Sequence, residues 1–207
     1  MDISAAQTDI RRVYRRGSVG QIVTALMWAA SAAAASSGLA DIAPFVLFVG
    51  GMLIFPLTTL GLGFLGGPSA LPAGHRMSAL AFQTAMQVPL GFLVALTLAA
   101  FDADLFFPAA MVLVGAHYLP FVFLYGMRSF LLLAIPMIVT GVAVGLLFPS
   151  SSVIGAWFTV VLLASFGIKE FTRDRQGRRV STTNGSQLLS LPPRHQQGFP
   201  YRTTFTA

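Results

Sequence analysis

Six apolar blocks, separated only by short breaks, constrain this chain more than any other feature. They fall near 18–40, 42–65, 77–100, 105–127, 129–148 and 152–168. A hydrocarbon core about 30 Å thick takes about 20 apolar residues to cross as a helix. Backbone N–H and C=O groups find no partner in lipid, so blocks of this length must satisfy their own, as helices. Charged residues make up 10% of the chain, against about 25% in an ordinary soluble domain, too few to coat a globule. The fold class read from the sequence is therefore all-α, a polytopic membrane bundle of six transmembrane helices.

The basic residues orient it. Arg11, Arg12, Arg15 and Arg16 precede the first block, Arg76 lies between the second and third, and Arg128 between the fourth and fifth. The rest, from Lys169 to Arg202, follow the sixth, while Asp41, Asp102 and Asp104 fall on the opposite side. The positive-inside rule then places both termini in the cytoplasm. Three segments result: a basic N-terminus (1–17), the six-helix domain (18–168) and a basic, polar tail (169–207) expected to be disordered. The tail's Lys169, Arg173, Arg175, Arg178 and Arg179 suit anionic lipid headgroups as well as fixing orientation. Placement of the basic residues by topology also argues against a nucleic-acid partner. The first block, about 23 residues, exceeds a signal-peptide core and reads as an uncleaved span.

Counting from the basic markers puts polar residues near mid-depth. His117 is eleven residues from Arg128, Gln87 eleven from Arg76, and Thr140 twelve from Arg128; Gln83 lies one turn from Gln87. Trp28 and Trp157 fall at the same level. Polar groups at this depth are expected to face the bundle interior. Pro56, Pro89, Pro120 and Pro136 lie inside the blocks and are expected to kink them. A neutral His117 beside the Pro120 kink could hydrogen-bond Gln87. Gln83, Gln87, His117 and Thr140 are thus the candidate polar site, and two readings stay open: interhelical glue, or a site built on a titratable histidine. Gly63 with Gly67, and Gly141 with Gly145, form GxxxG pairs, a pattern frequent by chance in a glycine-rich chain.

Catalysis lacks its usual parts. There is no cysteine, one glutamate (Glu170), no HExxH, and three histidines in separate segments. No catalytic residue, metal or cofactor is assigned, and the chain reads as non-enzymatic.

"RRGSVGQIVTALMWAASA", "FPLTTLGLGFLG", the Gln83-to-Gln87 region and "GAHYLPFVFLYGMRSFLLLAIP" resemble a family of prokaryotic six-span membrane proteins, a domain of unknown function. The resemblance runs from about Arg15 to Ile168, with "GAHYLPF" its most specific element. It implies an uncleaved first helix and a bacterial inner-membrane setting, and carries over no activity or substrate. The expected function is that of a multi-pass inner-membrane protein with a polar intramembrane site, its small-molecule ligand unidentified and a homo-oligomer its expected form. Two alternatives stand beside it: a small oligomeric carrier or channel, and an accessory subunit of a membrane complex.

Overall fold

Every regular element among the described residues, 2–189, is helical in the computed structural model. The elements are α1 (Ile3–Val13), α2 (Ser18–Ser36), α3 (Ala43–Phe64), α4 (Ser78–Phe101), α5 (Phe106–His117), α6 (Leu119–Tyr125), α7 (Leu131–Leu147) and α8 (Ser152–Leu189). With their short 3₁₀ extensions they give six stretches long and apolar enough to cross a membrane, α5 and α6 together forming the fourth. Pro56, Pro89 and Pro136 sit within unbroken helices. Only at Pro120, in the first turn of α6, does a span divide. There Tyr118 N–H bonds the carbonyl of Gly115 (3.1 Å), tightening the last turn of α5.

Close helix crossings organise the interior. In lipid, apolar side chains gain little by leaving the tails, so small residues that let backbones approach supply the packing. α5 and α7 cross on Gly115 and Gly141; a β-carbon at Gly141 would lie 2.8 Å from the Pro108 carbonyl. Gly145 faces Pro108 as well, so the second GxxxG pair is a true helix seam. The first is not: among the described residues a β-carbon at Gly63 would meet no atom of another element within 4 Å, and one at Gly67 would meet the Arg15 side chain. Trp28, Phe92, Phe106, Phe130, Met111 and Leu163 fill the core.

The N-terminal segment is structured. Read from the sequence only as basic, it forms α1, with Ala6, Ile10 and Val13 buried on one face. The helix ends what α6 leaves open. Carbonyls in the last turn of a helix lack intrahelical partners; here Arg11 donates to the Tyr125 carbonyl, and Gln7 Nε2 donates at 2.7 Å to the Phe123 carbonyl, which also accepts the Gly126 N–H at 3.2 Å. Asp9 also meets His75, in the α3–α4 loop, at 3.7 Å. Ile10→Asp, which puts a charge into the buried face, is expected to release α1. The check is hydrogen exchange, with amides of residues 6–13 losing protection while those of α5 and α7 keep theirs.

Between α1 and α2 the chain reverses through three consecutive left-handed residues, Arg15 (φ 46°), Arg16 (φ 59°) and Gly17 (φ 81°). Glycine takes this conformation freely, whereas two arginines do so at a cost of order 1–3 kcal/mol each. Ion pairs to α8 hold them. Arg16 Nε donates to Glu170 Oε2 at 2.7 Å, and Arg15 lies 3.6 Å from Asp174 while donating to the Leu65 carbonyl at 2.6 Å. These arginines are internal tethers, not free surface charges. Arg11, Arg15, Arg16 and His75 thus define an arginine end of the bundle, and Asp41 and Asp104 line a cleft at the other.

Two further expectations change. Trp157 is partly exposed and donates to Ser36 Oγ (3.1 Å), near the end of α2 away from the arginines, not at mid-depth. Counting from Lys169 misplaced it, because α8 continues past that residue. The helix extends to Leu189, where a disordered tail was expected after Ile168. Residues from Arg175 onward separate as a second unit, and the part of the expected tail at 190–207 lies outside the described residues.

Candidate functional site

A layer of polar side chains crosses the interior between the arginine end and mid-bundle, but its membership differs from the sequence expectation. Gln83 and Gln87 are on the exposed face of α4 and do not reach His117. Thr84, one residue and 100° further round the helix, takes the interior position. The His117 ring lies against the backbone carbonyl of Thr84, with Phe121 edge-on at 4.7 Å and Tyr118 at 5.5 Å between ring centroids. Thr140, half-buried on α7, makes no hydrogen bond to the layer.

The partners sequence reasoning missed come from α2 and α3. Gln21 (3% exposed) and Thr24 are buried, and the Tyr118 hydroxyl is directed at both. Thr58 of α3 packs against Gly20, one residue before Gln21. Gln21 and Thr24 lie three and six residues into α2, and a mid-depth count from Arg16 passes over both. The residue between His117 and Pro120 that matters is Tyr118, which its sequence neighbours do not single out.

Hydrogen bonding in this layer is unbalanced. Thr24 and Thr84 hydroxyls donate to their own helices, at Gly20 (2.8 Å) and Leu80 (2.7 Å), leaving oxygen lone pairs toward the interior. Gln21 Oε1, Thr58 Oγ1 and His117 Nδ1 are buried without a hydrogen-bond partner among the described residues. With the other imidazole nitrogen turned to a carbonyl, neutral His117 presents Nδ1 as an acceptor. A buried polar group left unpaired costs about 1–3 kcal/mol, and here such groups come from three helices, α2, α3 and α5.

Toward the aspartate end, Trp28 lies one turn beyond Thr24 on α2, its ring centroid 6.2 Å from that of Phe107. Phe107 and Phe106 in turn line a cleft of about 370 Å³ together with Asp41, Asp104 and Ser152. Ser152 Oγ donates to Asp104 at 3.4 Å. Of the basic residues expected at lipid headgroups, Arg173 pairs with Glu170 at 3.3 Å and Lys169 is exposed on α8, while Arg175, Arg178 and Arg179 are exposed on its continuation. Among the described residues no group of three His, Cys, Asp or Glu side chains gathers as a metal site would require.

Six apolar helices around a small polar interior define a multi-pass membrane protein. Residues 3–171 match a family described as a family of unknown function (DUF7010), and the chain belongs to it. The matched residues begin at Ile3 and so take in α1 as well as α2 to α7 and the first part of α8. No curated protein and no solved structure matches the chain significantly.

Proposed function

We propose that this protein is a non-enzymatic inner-membrane protein that binds a small amine in the polar layer, with the arginine end cytoplasmic and both termini on that side. The observation that carries the reading is the set of unpaired buried polar atoms, the acceptors Gln21 Oε1 and His117 Nδ1 and the Thr58 hydroxyl, which can donate or accept. A layer with two unpaired acceptors, a free hydroxyl and no charged side chain suits a ligand that brings N–H donors. An alkylammonium group supplies up to three, and carbonyl-type oxygens can replace part of its hydration.

The aspartate-end cleft favours the carrier form of this reading. Asp41 and Asp104 concentrate cations at the mouth, and Phe107 with Trp28 offers aromatic faces to a cation on the way inward. Solute passage would turn on movement of that aromatic pair, with His117 and Gln21 behind it.

The test is thermal unfolding in lipid nanodiscs against a panel of small amines, amides and polyols. A ligand at a hundred times its Kd raises the stability of the wild type by about 2.7 kcal/mol. An amine is expected to do so in the wild type and to lose the effect in Gln21→Leu and His117→Leu, while Thr140→Val keeps it. Stabilisation by polyols or amides alone would replace the ligand class. Stabilisation by nothing, with the variants melting no differently from Thr140→Val, would remove the site.

A further inference from the structure

Gln83 and Gln87 raise a different question once they are seen to point outward. Gln87 lies nine residues after Ser78 in the 24-residue α4, about 13 Å along the axis, a depth at which lipid offers no hydrogen-bond partner. Other polar groups on the outer faces solve this locally. Thr59 donates to the Phe55 carbonyl at 3.0 Å and Thr97 to that of Leu93 at 2.9 Å. Neither glutamine has such a bond. Their positions also have a pattern: Gln83, Gln87, Leu90, Val94, Thr97 and Phe101 are all exposed, and they recur at alternating steps of four and three. Within the broad exposed face of α4, which also carries Phe82, Met86, Leu93 and Leu98, that spacing suits the seam of a left-handed helix pair.

We infer that α4 is the contact helix of a parallel homodimer, in which Gln83 and Gln87 hydrogen-bond the same two residues of a second copy. The chemistry selects a second copy over another occupant. A carboxamide carries both donors and an acceptor, so a surface bearing two of them is complementary to itself. A twofold axis along the membrane normal keeps every residue at its own depth, bringing glutamine to glutamine and Leu90 to Leu90. A polar residue on an otherwise apolar seam also fixes register, a recurring use of such residues in helix pairs. This surface is separate from the polar layer, and the dimer stands or falls independently of any ligand there.

The chain contains no cysteine, so single-cysteine cross-linking can be read in membranes without background. Leu90→Cys, on the seam (64% exposed), is compared with Leu26→Cys, 58% exposed at similar depth on α2. Mild oxidation is expected to convert the 22.0 kDa chain to a disulfide-linked dimer at position 90 and not at 26. Adding Gln83→Leu and Gln87→Leu to Leu90→Cys is expected to lower the cross-linked fraction about tenfold at limiting density, given interhelical bonds of the usual strength. Thermal melting verifies that the leucine variants, altered only on the outer face, stay folded. Equal cross-linking at both positions, none at position 90, no response to the leucines, or capture of a different protein at position 90 would each overturn the inference.

Discussion

Gly141→Val is expected to destabilise the bundle by about 3 kcal/mol, at the upper end for overpacking. At Gly141 even a single β-carbon would lie 2.8 Å from the Pro108 carbonyl, 2.9 Å from Val112 Cγ2 and 3.0 Å from Met111 Cβ. The first of these is backbone, which cannot rotate aside, so valine forces α5 and α7 apart. Separation also opens Gly115, whose β-carbon position lies 3.0 Å from the Ala134 carbonyl across the same interface. The two crossings fail together because one helix pair carries both. Gly63→Val is the control: with nothing within 4 Å, it is expected to stay within about 0.5 kcal/mol of the wild type. Reversible unfolding in detergent measures both, and similar losses for the two variants would remove the α5–α7 seam from the account.

Glu170→Leu is expected to cost about 2–3 kcal/mol. Removing one member of a buried ion pair typically costs about 3–5 kcal/mol, because the remaining charge stays desolvated. Glu170 is fully buried, but the Arg16 side chain retains 30% exposure, so water recovers part of that loss. The carboxylate also closes the left-handed turn at Arg15–Arg16, bringing α1, α2 and α8 together. Its loss is therefore expected to loosen α1 as well, seen as faster hydrogen exchange there. Arg16→Leu combined with Glu170→Leu removes both charges, and the double variant is expected to be more stable than Glu170→Leu alone. A double variant that sums the two single losses would mean the pair contributes no coupling.

The six spans were legible because a block of about 20 apolar residues has one solution in lipid. Faces were not. Gln83 and Gln87 were placed at sensible depths, yet Thr84, in the same helical turn, proved to be the interior residue. Depth follows from counting along one helix, but rotation about its axis depends on the neighbours it packs against, and α4 is hydrophobic on nearly every side. The GxxxG pairs show the same gap: Gly141 and Gly145 meet Pro108, and Gly63 meets nothing, though the motifs are alike in sequence.

The arginine end was misread for another reason. A run such as "RRVYRR" scores as a topology marker, and that interpretation hides its internal partners. Arg11 caps α6 from more than a hundred residues away, and Arg16 meets the chain's one glutamate. Pairings so distant in sequence leave no local periodicity to detect. The amphipathic stripe Ala6, Ile10 and Val13 did carry a signal for α1, at helical spacing, within a segment short enough to pass for a flank.

The most direct test of the central claim is a structure at about 2 Å, in lipid, with methylammonium present. The polar-layer reading expects ordered non-protein density within about 2.7–3.2 Å of both Gln21 Oε1 and His117 Nδ1. A layer in which Gln21, Thr58 and His117 bond only one another, with no such density, would contradict it and leave these side chains as interhelical glue.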